Sequence, residues 1–144
     1  MDADRFEKVE IRSEAQLWAW LAAHHGQAES VWLVTWKARH RDRYVTREAV
    51  LDALIAHGWI DGRRLKLDQD RTMQLIAPRR QQAWAESYKR RAERLELEGR
   101  MQAPGRAAVA QGKASGKWNA MADVDALLVP PDLQGALQMG GGLA

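Results

Sequence analysis

The chain has no cysteine among its 144 residues, and it contains only one Phe and two Tyr. The absence of Cys excludes disulfides, thiolate metal sites and Cys nucleophiles. No apolar run approaches the roughly 18 residues that a membrane span needs. The charged start, MDADRFEKVEIR, lacks the apolar core of an export signal, so we expect a cytoplasmic protein.

Tryptophan and clustered basic charge stand out among the residues that are present. The chain has seven Trp and a net charge of +3. Residues 37–47 hold five Lys or Arg and one Asp, and residues 79–106 hold eight Lys or Arg and four Glu. The length and a hydrophobic content of 46% indicate one globular domain. We place that domain at residues 1–125, followed by a short helix and a flexible Gly-rich tail at 126–144.

The apolar spacing predicts an α+β fold. Four segments have the spacing and the end signals of helices, namely residues 13–26, 45–58, 82–99 and 104–116. SVWLVTWK, at residues 30–37, is apolar on both faces and predicts a central strand. We therefore expect a small antiparallel or mixed sheet of about three strands, packed with four to five helices.

RRLKLDQDRTMQLIAPR predicts a β-hairpin in which residues 63–68 pair with residues 72–77. A three-residue loop at 69–71 pairs Leu67 with Met73 and Leu65 with Leu75, which keeps Leu65 and Leu67 on the core side. The periodic apolar positions predict nine largely buried residues: Leu17, Leu21, Leu33, Leu51, Leu54, Ile55, Leu65, Leu75 and Leu95.

The stretch HGWIDGRRLKL, at residues 57–67, has two interpretations. In the first, Gly58 ends a helix in the left-handed conformation and Trp59 packs on Leu54. In the second, Trp59 also walls a cleft in which Asp61 meets two cations from the ends of neighbouring strands, and the surplus positive charge favours an anionic ligand. The candidate ligand-binding residues are Trp36, Lys37, Trp59, Asp61, Arg63, Arg79 and Trp84.

Other functional patterns are weak. Adjacent His24 and His25 point about 100° apart on a helix and share no metal, and the DQD at residues 68–70 is typical of a turn. We therefore predict no metal site and no cofactor. No Gly-rich phosphate loop or Ser-His-Asp set is evident, so an enzyme of unknown reaction is only an alternative.

A nucleic-acid-binding protein is the second alternative. The basic face of the helix predicted at residues 82–99 has the charge to lie along phosphates. Glutamates on the same helix are spaced for ion pairs, which favours an ion-paired surface instead. The residues of this alternative site are Lys89, Arg90, Arg91 and Arg94.

EAVLDALIAHGWIDGRRLKLDQDRTMQLIAPRR, with WLVTWK before it and ERLELEGRMQAPG after it, resembles the YdeI/OmpD-associated bacterial family over about residues 29–118. The resemblance implies a link to the bacterial envelope and to antimicrobial-peptide resistance or bacteriocin protection, and it brings no catalytic residues. Where the family tends to show Trp-Ser and then Asn, this chain has Trp84, Ala85 and Tyr88. The family usually continues into an Arg-rich C-terminal helical segment, which we do not expect in this chain. We expect a small bacterial binding module that recognises an anionic small molecule or a protein partner.

Overall fold

The computed structural model describes residues 5–120. Its elements, in chain order, are β1 (Lys8–Glu10), α1 (Glu14–Ala23), β2 (Val31–Trp36), α2 (Arg47–Ala56), β3 (Trp59–Lys66), β4 (Arg71–Pro78), α3 (Glu86–Leu97) and α4 (Ala103–Ser115). The predicted α+β class is confirmed. Within residues 5–120 no helix is long and apolar enough to cross a membrane. The predicted domain end at residue 125 and the tail at 126–144 lie outside the described residues.

The sheet is mixed and has the strand order β1-β2-β4-β3. β1 runs parallel to β2, whereas the β2–β4 and β3–β4 pairs are antiparallel. β2 is therefore a central strand, as its continuous apolar run predicts. β1 is the strand that the sequence pattern did not reveal, because three residues are too few to show an alternation.

The β3–β4 hairpin has the predicted loop length but a different register. Leu65 pairs with Met73 and not with Leu75. The loop is residues 68–70 and not 69–71, because the chain turns one residue earlier than expected. The loop has three residues, as predicted, and Leu65 and Met73 lie on the same face of the sheet. The predicted partner of Leu65 is wrong by two residues.

Asp68 explains why the turn begins where it does. Its Oδ1 accepts the backbone N–H groups of Asp70 at 2.9 Å and Arg71 at 2.7 Å, and its Oδ2 accepts from the Arg71 guanidinium at 2.7 Å. An aspartate that bonds to the backbone two residues later stabilises a turn at its own position. The first Asp of DQD therefore serves the turn, as the sequence suggested.

The helices pack on one face of the sheet. Val31, Leu33 and Ile76 from the strands join Leu17 and Leu54 from the helices in the main core. The opposite face carries a smaller cluster centred on Trp32, Val34 and Met73, which includes no helix residue. α3 and α4 pack on the outer side of α2 around a third cluster.

Seven of the nine predicted core residues are buried. Leu65 is 37% exposed, and Leu75 is only partly buried. Both lie on the sheet face away from the helices, together with the partly buried Leu67. Predicting that Leu65 is buried on the core side was wrong, because β3 is the edge strand and its outer positions face solvent.

The helix-stop interpretation of HGWIDG is confirmed. Gly58 has a φ of +77°, and its N–H donates to the Ile55 carbonyl at 3.2 Å. A Cβ atom at this position would lie 2.7 Å from the Pro104 carbonyl oxygen, so the approach of α4 also requires glycine. Trp59 is 1% exposed and belongs to the main core with Leu54.

Candidate functional site

The residues of the predicted cleft do not converge. Lys37 follows β2 at the end where Trp36 pairs with Arg71, whereas Arg79 follows β4 at its opposite end. Eight residue steps of strand separate Arg71 from Arg79, which is about 25 Å at roughly 3.3 Å per residue. The expectation that Lys37 and Arg79 meet at Asp61 is therefore wrong.

Arg79 anchors the segment after β4. Its guanidinium carbon lies 3.7 Å from the centre of the Trp84 ring, and its Nη1 donates to the Gln82 carbonyl at 3.1 Å. Burial lowers the pKa of Arg79 to about 10, while the negative charge of Asp61 acts in the opposite direction. Trp84, like Trp59, is 1% exposed, so both tryptophans are core residues.

Arg63 faces away from the helices. Its guanidinium carbon lies 5.7 Å from the centre of the Trp32 ring, which belongs to the cluster on the far face of the sheet. The β3–β4 register shifts between Asp61 and Arg64. Arg64 then pairs with Gln74, a position on the helix-covered face, so the two adjacent arginines serve opposite faces of the sheet.

Trp36 and Lys37 line a different cleft, with a volume of about 210 Å³, where α2 begins beside the ends of β2 and β4. Lys37, Arg47 and Arg64 are its charged lining residues, and no carboxylate lines it. None of the ion pairs found within residues 5–120 involves any of the three. We call this site the basic cleft; its other polar lining residues are Thr35, Tyr44, Thr72 and Gln74.

The start of α2 adds to the positive potential of the basic cleft. Thr46 caps the helix, because its side chain accepts the Ala49 N–H at 3.1 Å. Arg47 is the first helical residue, where the helix dipole already carries partial positive charge. A cation at this position opposes helix stability, which is a signal in the sequence that points to another role for Arg47.

A chain of hydrogen bonds directs Arg64 towards the basic cleft. Arg64 donates to the Thr72 hydroxyl at 3.3 Å and to the Gln74 Oε1 at 3.4 Å. Gln74 is 5% exposed, and its amide donates to Asp61 Oδ2 at 3.0 Å. Asp61 thus stands behind Gln74 and fixes the orientation of its side chain, while the Thr35 and Thr72 hydroxyls lie 3.3 Å apart beside it.

Asp70 holds the loop that carries Lys37. The Asp70 carbonyl accepts the Lys37 N–H at 2.9 Å, and its Oδ1 lies 2.6 Å from an Arg39 nitrogen and 2.9 Å from His40 Nε2. The Arg39 hydrogen bond, followed by that of His40, lowers the pKa of Asp70. Within residues 5–120 no cluster of three or more His, Asp or Glu side chains is arranged to hold a metal ion.

The basic face of α3 is neutralised within the chain. Lys89 and Arg90 pair with Glu86 at 3.4 and 3.2 Å. The two remaining cations of this face pair with carboxylates of α2 and of the C-cap of α3. These pairs are Arg91 with Glu48 and Asp52, and Arg94 with Asp52 and Glu98. This arrangement matches the ion-paired surface that the glutamate spacing favours. Nucleic-acid binding by this face stays a prediction.

Sequence reasoning found part of the basic cleft. It selected Trp36 and Lys37, which line the cleft, and Asp61, which stands behind it. It missed Arg47, Arg64 and the polar lining residues. Two signals pointed to them, namely a cation in the first turn of a helix and the glutamine in the otherwise apolar TMQLIA.

Comparison with known proteins identifies a domain family. A family model described as Domain of unknown function (DUF8412) matches residues 9–108, well over half of the chain. The matched region includes every lining residue of the basic cleft. No curated protein and no solved structure matches the chain.

Proposed function

The chain belongs to the DUF8412 family, and we propose that it is a small binding module whose basic cleft binds a small anion. One observation carries the proposal: Lys37, Arg47 and Arg64 line a single cleft that no carboxylate lines. An anion in this cleft would form charge-assisted hydrogen bonds with these side chains. It would also interact favourably with the N-terminus of α2.

The size and lining of the basic cleft favour a compact ligand with more than one negative charge. A volume of about 210 Å³ corresponds to roughly seven water molecules at about 30 Å³ each, which suits a phosphate group or a short dicarboxylate. Arg64 has the planar guanidinium that binds two oxygens at once. The Thr35 and Thr72 hydroxyls supply further donors.

We further propose that anion binding serves the bacterial stress or antimicrobial-resistance role that the resemblance to the YdeI/OmpD-associated family implies, and that the protein acts in the cytoplasm. The motifs that carry the resemblance also contribute the cleft residues. WLVTWK supplies Trp36 and Lys37, and GWIDGRR supplies Arg64 together with Asp61, which stands behind the cleft.

Titration of the full chain with inorganic phosphate and with succinate, followed by ¹H–¹⁵N NMR and calorimetry, tests anion binding. We expect the largest shifts at the amides of Thr35, Lys37 and Thr72. Arg64→Gln should weaken binding by about tenfold or more, because hydrogen bonds to charged groups contribute about 1.5–3 kcal/mol and about 1.4 kcal/mol corresponds to tenfold.

Arg63→Gln is the matched control. It removes the same charge from the residue before Arg64, and the Arg63 side chain lies on the opposite face of the sheet. Its affinity should stay within about twofold of the parent chain. Equal losses in the two variants would mean diffuse attraction to a basic protein and not a site. The absence of specific shifts with either anion at millimolar concentration would refute the proposal.

A further inference from the structure

α3 and α4 flank an apolar groove that the basic cleft does not use. Arg106, near the start of α4, pairs with Glu96, near the end of α3, at 3.1 Å. The groove between the two helices has a volume of about 730 Å³, and its apolar lining consists of Ala92, Leu97, Met101, Val109, Ala110 and Trp118. Leu97 is 90% exposed. An exposed large apolar side chain beside an apolar groove is typical of a protein interface.

The two rims of this groove carry opposite charges. Glu93 and Glu96 lie on the α3 side, and Arg106 and Lys113 lie on the α4 side. Glu93 and Lys113 take part in none of the ion pairs found within residues 5–120. The groove is therefore an apolar strip with one acidic edge and one basic edge, and each edge has a charge that no described side chain neutralises.

We propose that the occupant of this groove is the same groove of a second copy of the chain. A two-fold axis that runs along the groove lays the α3 edge of one copy over the α4 edge of the other. The acidic edge then faces the basic edge twice, once on each side of the axis, and the apolar strips meet between them. Such an isologous contact uses the same surface patch on both copies.

The size of the surface sets the expected strength of the dimer. Helices of 12 and 13 residues are about 18–20 Å long, and each helix with its side chains is about 10 Å across. The two helices together therefore present a face of roughly 400 Å² per copy, about half of the 800 Å² that a standard interface buries on each partner. We expect a weak dimer whose population rises with concentration in the range of tens to hundreds of micromolar.

A charge exchange across the two edges tests this dimer by analytical ultracentrifugation of the full chain. In a Glu93→Lys homodimer, and likewise in a Lys113→Glu homodimer, both edge contacts become repulsive. In a mixture of the two variants every edge contact is attractive again. We expect each variant alone to associate at least fivefold more weakly than the parent chain, and the mixture to recover most of the lost association.

Two further variants separate this contact from general charge effects. Lys66→Glu makes the same charge change as Lys113→Glu, but on β3, and should leave self-association unchanged. Leu97→Asp should abolish it without unfolding the chain, because this side chain is almost fully exposed. A parent chain that stays monomeric at millimolar concentration, or a mixture that associates no better than its components, would overturn the proposal.

Discussion

Two basic regions of this molecule use their cations in opposite ways. On α3, each of Lys89, Arg90, Arg91 and Arg94 has a carboxylate partner within the chain. In the basic cleft, three cations line one space of about 210 Å³, and no carboxylate lines it. Basic composition alone therefore does not identify a binding site. The two regions differ in the distribution of carboxylates around their cations.

We call the cations of α3 and their carboxylate partners the paired region, and Asp52 is its centre. It is 8% exposed, and its Oδ1 accepts from Arg91 at 2.9 Å and from Arg94 at 2.6 Å. These bonds connect α2 to α3, so the charges serve the packing of two helices. The unpaired cations of the basic cleft have the opposite effect on stability, because like charges repel and Arg47 also opposes the α2 dipole. A bound anion would remove that repulsion.

The largest expected effect is that of Asp52→Ala. Removing this carboxylate leaves Arg91 without its least exposed partner, and loss of one member of a buried ion pair costs on the order of 3 kcal/mol. The free energy of unfolding, measured by urea denaturation, should fall by about that amount, while the affinity for phosphate stays unchanged. A loss below about 1 kcal/mol would show that water replaces Asp52 easily and that the paired region contributes little to the fold.

The paired region shows how far sequence spacing reaches. The spacing of Glu86 to Arg90 and of Arg94 to Glu98 predicted ion pairs one helical turn apart, and both pairs are present. Asp52 and Arg91 are 39 positions apart, and their contact depends on how α2 packs against α3. Periodicity defines the face of each helix but not which residue of a neighbouring helix lies opposite.

The same limit explains the incomplete prediction of the basic cleft. The strand end at Trp36 and the cap at Thr46 could be read from local patterns. The positions of Arg64 and Arg79 depend on which end of the sheet each residue reaches, and this follows from the strand order and the hairpin register. β1 was too short to detect, and the hairpin register was displaced by two residues. The predicted helices and longer strands were therefore correct, but the prediction of which of their ends lie close together was wrong.

Arg47→Gln should produce effects of opposite sign on binding and stability. The variant removes one of the three cleft cations, so phosphate should bind several-fold more weakly. It also removes a cation from the first turn of α2, and unfavourable dipole interactions of this kind cost about 0.3–1 kcal/mol. Urea denaturation without phosphate should therefore show a stabilised chain. Loss of stability together with loss of binding would mean that Arg47 supports the fold and not a ligand.

Acid should weaken the turn beside the basic cleft over a defined pH range. The hydrogen bond from Arg71, together with backbone N–H groups, lowers the pKa of Asp68 from 3.8 to about 2. Because the folded-state pKa is depressed, the stabilisation by ionised Asp68 is complete above about pH 4 and is lost as the pH falls from about 4 to 2. The stability difference between the parent chain and Asp68→Asn should shrink across this range. A difference that is constant from pH 7 to pH 2.5 would contradict the assigned role of the carboxylate.

The smallest expected effect is that of Arg90→Gln on the paired region. Arg90 bonds to Glu86 one turn earlier at 3.2 Å, but its side chain is 77% exposed. Exposed helical ion pairs contribute only about 0.3–0.5 kcal/mol because water and salt screen them. The free energy of unfolding should therefore change by less than about 0.5 kcal/mol, and phosphate affinity should stay within about twofold of the parent chain. Arg90→Gln and Arg64→Gln remove the same charge, so comparing their calorimetric affinities for phosphate isolates the effect of position. If Arg90→Gln weakened binding as much as Arg64→Gln, the presence of a carboxylate partner would not distinguish a structural cation from a ligand-binding one.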